Sequence, residues 1–377
     1  MSDAQAIAAR IYYWTRCELG SELWCEAGIL LPATGPPLLL FARIASGDDV
    51  SQVGEWRALW RGKTGLQLVR SVMVYVWPLS ILGRFFYRLR WSPPLYGVIN
   101  RRSRRVFRSI PQVVGPHGAE AVRALHTDGI FRTTVKALAQ DPALFRDLAR
   151  DAGMMLAGQD VQRKIRQRYN SSDMKWYVVR AIGRRAKRPP IPSSFVRFFL
   201  HPQLLSIAST YLGLQVRLNY LDVWHNIPVR EGEPPISAEF WHRDHEDQRI
   251  IKVFVLLTDV DETMGPFNYV KGSQAGGEYG TLFPAIPPTG RYPKQEVLDR
   301  LINETPLPSV SCIGPAGSVI LCDASGLHRG GRSLTQPRIV LVGVYTSNAG
   351  LDAARYSLPR SVGHEQLSPA AKFALYS

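Results

Sequence analysis

The stretch WHRDHEDQRIIKVFVLLTDVDE, Trp241 to Glu262, decides how the rest of the chain reads. Its first seven residues hold two histidines and three carboxylates. An apolar run follows from Ile250 to Leu257, broken only by Lys252. A run of this length, rich in β-branched residues, reads as a buried strand. Titratable groups crowded against its start have two explanations: a solvated loop, or a metal site at the mouth of a β-barrel.

Working outward, further strands recur after residue 210: LQVRLNYLDVW (214–224), GPFNYV (265–270), GSVILCD (317–323) and RIVLVGVYTS (338–347). Each is short and bounded by Gly, Pro or Asp. No regular helices separate them, which argues against a parallel βαβ sheet and for a barrel or sandwich. Upstream, GAEAVRALHTDGIFR (118–132) and PALFRDLARDAGMML (142–156) carry apolar residues at helical spacing, the first stopped by Gly129. The proline-rich segment 276–310 contains a short helix, PKQEVLDRLINE (293–304), and reads as an insertion between strands. The expected organisation is a basic, aromatic N-terminal extension of unknown role over 1–110 and one domain over 111–377. The fold class is mainly β with flanking helices (α+β).

The chain has 377 residues, 45% hydrophobic, with a formal net charge of +15. That charge implies contact with something anionic: nucleic acid, an acidic membrane or a phosphorylated substrate. Between Arg84 and Arg108 lie eight arginines, interleaved with aromatics, and no acid. This segment reads either as a peripheral membrane contact or as a domain face whose arginine stems cover apolar surface. A second basic run, Arg163 to Arg188, reads as a solvated helix face or a substrate-facing rim. Nucleic acid is the weaker partner, because no known RNA-binding motif is present. The four cysteines (Cys17, Cys25, Cys312, Cys322) are too scattered for a disulfide framework and form no CxxC pair. With no signal-peptide pattern at the start and no adequate span at 27–42 or 71–83, the expected location is the cytoplasm, peripheral to a membrane if 84–108 lies on lipid.

In a strand, residues two apart share a side, so His242 and Asp244 project together. A third ligand must come from elsewhere, and His328, in a glycine-flanked loop after a strand, is the candidate. Two histidines and one carboxylate leave three positions of an octahedron open, the arrangement of non-haem Fe(II) oxygenases. Ten residues later stands Arg338, suited to hold the free carboxylate of a dicarboxylate cosubstrate in a bidentate fork. The spacing is ambiguous, since His245 and Asp247 also form a His-x-Asp pair.

These residues, with DVDETMGPFNYVKGS (259–273) and GSVILCDASGLHRGG (317–331), resemble the phytanoyl-CoA dioxygenase family of Fe(II)/2-oxoglutarate oxygenases. The resemblance spans roughly 115–350. It implies a double-stranded β-helix core (a jelly roll, cupin-like). It also implies His242, Asp244 and His328 as iron ligands, Arg338 holding 2-oxoglutarate, and Lys252 either assisting Arg338 or shaping the substrate side. The cofactors implied are Fe(II), 2-oxoglutarate and O2, with succinate and CO2 released. An intact Asp244 argues for hydroxylation or another oxidation rather than halogenation. Trp241, Asn219 and Tyr220 are candidate pocket residues.

The substrate expected is a small-molecule or acyl/lipid-type compound, anionic or carrier-bound. Three alternatives stay open at this level: a jelly-roll binding protein without turnover, a nucleic-acid demethylase of the same cofactor class, and a cupin-type isomerase using another metal.

Overall fold

A computed structural model describes residues 24–33 and 35–45 as backbone and most of 89–376. Segments 168–176, 184–189, 283–294 and 352–355 and a few single positions fall outside the description. Readings for residues 1–23 and 46–88, including the first part of the 84–108 segment and the apolar stretch 71–83, therefore lie outside the described residues. So do parts of the second basic run and of the 276–310 insertion.

The chain divides into two units, one of residues 1–90 with 286–288 and one of 91–285 with 289–377. In the first, strands β1 (Trp24–Ala33) and β2 (Gly35–Ala45) pair as an antiparallel hairpin.

The second unit is built on two antiparallel sheets. The larger has six strands in the order β3-β9-β6-β11-β5-β4: Ile130–Thr134, Ser318–Asp323, Ile251–Leu256, Arg338–Thr346, Arg217–Asn226 and Val178–Arg180. The smaller pairs β10 (His328–Gly330) with β7 (Phe267–Val270), and β7 with β8 (Ser309–Cys312). Strand alternation sorts the side chains of the large sheet into two cores. Ile251, Val253 and Val255 of β6, Val319 and Leu321 of β9, and Leu341 and Tyr345 of β11 join a cluster with helix residues such as Phe195, Phe199, Leu204 and Leu205. The alternate residues, Phe254, Leu256, Ile320, Cys322, Val340, Val342 and Val344, pack with Tyr269 and Phe267 of the small sheet. One face is thus covered by helices and the other closes a β-sandwich. This is the two-sheet arrangement expected of a jelly roll.

Three helices fall in segments the sequence marks as helical, Gly115–Thr127, Leu144–Leu156 and, in the insertion, Gln295–Glu304, and the structure adds Ser193–Phe199 and Pro202–Leu212, which the sequence reading did not mark. Gly129, at φ +75°, lies in the turn that ends the first of these and admits β3. Gly343 in β11 permits the tightest contact between sheet and helices, since a Cβ there would overlap the ring of Phe199. Two short helices, α1 (Pro93–Ile99) and α2 (Arg101–Ser109), belong to this unit as well. Ser103 Oγ donates to the Gln215 carbonyl (2.6 Å), and the Asn348 amide donates to Asn100 Oδ1 (2.9 Å).

Candidate metal centre

His242 and His328 face each other across an isolated antiparallel bridge. Each backbone N–H donates to the other's carbonyl, at 2.9 and 3.0 Å. The Asp244 amide donates to the Ala324 carbonyl (2.9 Å), so both arms of the site are held by main-chain pairing. The bridge sets the imidazole centroids 4.3 Å apart.

Ring orientation follows from one hydrogen bond per histidine. Nδ1 of His242 lies 2.8 Å from the Phe240 carbonyl, and Nδ1 of His328 lies 2.9 Å from the Gly326 carbonyl. A carbonyl can only accept, so each Nδ1 carries the proton and each Nε2 is left with a lone pair for a metal. Those Nε2 atoms lie 3.8 and 3.7 Å from the two carboxylate oxygens of Asp244. One ligand atom from each of the three residues falls within 4.8 Å of the others, and all three residues are buried. Two neutral imidazoles and one carboxylate, converging with space between them, fit a divalent iron with open coordination positions.

Lys252 enters the same cluster from the inner face of β6, and its ammonium pairs with Asp244. Burial disfavours ionisation of Asp244, but Lys252 and the two histidines outweigh it and hold the carboxyl well below its usual range. The lysine lies opposite Val344, six residues along β11 from Arg338. It contacts the carboxylate of the cluster, a partner that neither expected role, assisting Arg338 or shaping the substrate side, included.

Arg338 opens β11 on the inner face and is 8% exposed. Its carbonyl accepts from Asn226 Nδ2 (3.2 Å). Its Nε has no hydrogen-bond partner, and among the described residues no carboxylate pairs with its guanidinium. Burial pushes the group down to about 10. A buried guanidinium without an anion is costly, and the side chain is suited to receive one.

The other His-x-Asp pair is engaged differently. Asp247 accepts from the amides of Gln248 (2.8 Å) and Ser347 (2.7 Å), and burial first, then Asp247, raises the Tyr96 hydroxyl above its usual range. Asp247 thus ties the ligand loop to the end of β11. His245 is not among the three converging residues.

The candidate pocket residues separate. Trp241 is buried, with the guanidinium of Arg329 4.6 Å from its ring, in a cluster with Val270, Leu298 and Leu327 that docks the insertion helix. Tyr220 donates to Asp222 (2.8 Å) and accepts from the Trp224 indole (3.0 Å) on the inner face of the large sheet. Asn219 falls where the β5–β11 register shifts, and its Oδ1 is buried without a partner.

Several buried charged residues escaped the sequence reading, among them Arg243, Asp222 and Asp323. Arg243, between the two ligands, donates to the carbonyls of Ser273 and Ser325 (2.6 Å to the latter). Asp222 accepts from the amides of Ile182 (2.8 Å) and Gly183 (3.1 Å). Asp323 accepts from the Tyr211 hydroxyl (2.7 Å) and the Ser325 amide (2.9 Å). The signal for Asp222 and Asp323 was a lone acid within an apolar strand.

Residues 143–339 match the phytanoyl-CoA dioxygenase family. Among similar solved structures is EctD from S. alaskensis with 2-oxoglutarate and 5-hydroxyectoine, 22% identical, covering 67% of this chain and 82% of that one, TM-score 0.42. Another is the non-heme alpha ketoglutarate dependent epimerase SnoN from nogalamycin biosynthesis, at 17% identity, 61% and 83% coverage and TM-score 0.39. A third, AviO1 from Streptomyces viridochromogenes Tue57, is 19% identical over 62% of this chain and 97% of that one, TM-score 0.41. No curated protein matches significantly. The family match spans just over half of the sequence and includes both arms of the metal cluster and Arg338, so this chain belongs to the phytanoyl-CoA dioxygenase family and is an Fe(II)/2-oxoglutarate-dependent dioxygenase.

Proposed function

We propose that the chain hydroxylates, or otherwise oxidises, a small-molecule or lipid-like substrate, with His242, Asp244 and His328 as the iron ligands and Arg338 as the anchor for the far carboxylate of 2-oxoglutarate. The observation that carries this reading is a converging facial set of three ligands together with a buried arginine that lacks an anion. Iron with 2-oxoglutarate and O2 supplies the oxidising chemistry, releasing succinate and CO2.

The chain's own residues do the rest. The carbonyls of Phe240 and Gly326 fix both imidazole tautomers. Lys252 keeps Asp244 ionised and ready to coordinate. Phe267, 5.5 Å from the His328 ring, and Phe254 beside it keep water from the space between the sheets. The net charge of +15 supports an anionic or carrier-bound substrate, and the location proposed is the cytoplasm, with membrane contact through 84–108 peripheral. Among the described residues no helix is long and apolar enough to cross a membrane. The proposed organisation keeps residues 1–110 as an extension to the dioxygenase domain of 111–377, with α1 and α2 at its end tied to that domain through Ser103 and Asn100.

The test is anaerobic titration with Fe(II) and 2-oxoglutarate, followed by the weak visible charge-transfer band of the chelate and by succinate formation. The band should vanish in His242→Ala and persist in His245→Ala. Loss in His245→Ala with retention in His242→Ala would overturn the ligand assignment.

A further inference from the structure

Helix α2 carries a feature the metal centre does not use. Arg101, Arg104, Arg105 and Arg108 recur at i, i+3, i+4 and i+7, and all four are exposed. Together with Gly97 and Ser109 they line a cleft of about 460 Å³. Among the described residues no carboxylate pairs with any of them, and the sequence from Arg84 to Arg108 contains no acid. Arg102, by contrast, turns toward the ring of Phe373.

The arrangement is unfavourable for the helix itself. Like charges three and four apart repel. Arginines in the first turn also oppose the helix dipole, and α2 has neither an acidic first turn nor a side-chain cap. The inner face holds the helix in place through Ser103, and the Asn100 cap is tied to Asn348. The charged face is therefore presented rigidly, without internal compensation, and an external polyanion would relieve it.

We infer that the α1–α2 arginine cleft docks this protein on an anionic lipid surface, with the four guanidinium groups on phosphate headgroups. One observation favours lipid over a soluble polyanion. Val98, beside Gly97 in α1, is 69% exposed, and Val113, just past α2, is 62% exposed, so aliphatic side chains flank the charge. Apolar side chains combined with a basic cluster are the two signals stable peripheral attachment needs. Nucleic acid would call instead for exposed aromatics to stack on its bases, and Tyr96 and Phe107 are half-buried.

The experiment is co-sedimentation of the full-length protein with phosphatidylcholine vesicles, with and without phosphatidylserine. Wild type should bind the phosphatidylserine vesicles selectively, and added salt should release it. Changing all four arginines to Gln should weaken binding about five-fold per charge, roughly several-hundred-fold in all. The four-fold Arg→Lys variant should keep most of the affinity, and Val98→Asp should weaken it. Retained succinate formation in the Gln variant would show that it is folded, and vesicle binding measured without iron is independent of the metal assignment. Equal binding to neutral vesicles, or a Gln variant that binds as wild type does, would overturn the inference. So would an RNA oligonucleotide or inorganic polyphosphate that occupies the cleft in preference to vesicles.

Discussion

Replacing Arg338 by Met should make the free protein more stable while crippling its use of 2-oxoglutarate. The side chain is 8% exposed, and no carboxylate among the described residues neutralises it. Burial lowers its guanidinium from the ordinary arginine range to about 10. At 1.36 kcal/mol per pH unit, that difference is about 3 kcal/mol of unfavourable charge burial at neutral pH. The sign follows from proton linkage: the unfolded chain holds this proton more tightly, so the penalty is fully present below pH 10 and fades as pH rises beyond 10. Methionine fills similar volume without the charge, and the bond from Asn226 goes to the residue 338 carbonyl, which survives the change. Urea unfolding without cosubstrate should therefore show a gain of about 2–3 kcal/mol for Arg338→Met. Truncating one partner of a buried charge pair costs about 2–5 kcal/mol, so 2-oxoglutarate affinity should fall about 30-fold or more. Saturating 2-oxoglutarate should stabilise wild type against urea clearly more than it stabilises the variant. A variant less stable than wild type, or one that binds 2-oxoglutarate normally, would refute the reasoning.

Gly343→Ala should cost about 1–3 kcal/mol in urea unfolding, because its Cβ would overlap Phe199 in a close-packed interface; combining it with Phe199→Leu should recover part of the loss. Asp247→Ala should destabilise by about 1–3 kcal/mol through the stranded amides of Gln248 and Ser347, while Fe(II) binding measured by titration persists. Cys312 and Cys322 are buried, and burial raises both thiols, Cys312 to about 12. Mass spectrometry should find both unmodified by iodoacetamide at pH 8 in folded protein and alkylated once urea unfolds it; rapid native labelling would show that the sandwich opens there.

Much of the site was legible from the sequence because its parts are local. His-x-Asp at the mouth of a strand, a histidine in a glycine loop and an arginine opening the next strand are each visible within a few residues. Their roles came together through the family resemblance. The near-continuous β-branched apolar runs of Ile251–Leu256 and Val340–Tyr345 likewise announced strands, and the structure sorts those residues onto two faces as the pleat requires. The helical spacing of 142–156 corresponds to the helix Leu144–Leu156.

What tertiary structure alone decided depends on partners distant in sequence. Two pairs share the His-x-Asp spacing, and spacing cannot choose between them. The family resemblance favours the first, and the bridge from His242 to His328, 86 residues away, and the use of Asp247 to hold Ser347, 100 residues away, give the two pairs different environments. Lys252 reads in sequence as a lysine interrupting an apolar strand; its pairing with Asp244 depends on a loop folding back over the inner face. Arg243 looks like a surface residue until Ser273 and Ser325 supply the carbonyls that let it be buried. Likewise the arginine run that contains α2 reads as a membrane contact or as a domain face whose arginine stems cover apolar surface until Ser103 and Gln215 show which face of the helix is held. Local periodicity is written in neighbouring residues and survives in the sequence. Which buried charge meets which partner is fixed by chain closure over many tens of residues, and only the assembled sandwich brings those groups within hydrogen-bonding distance.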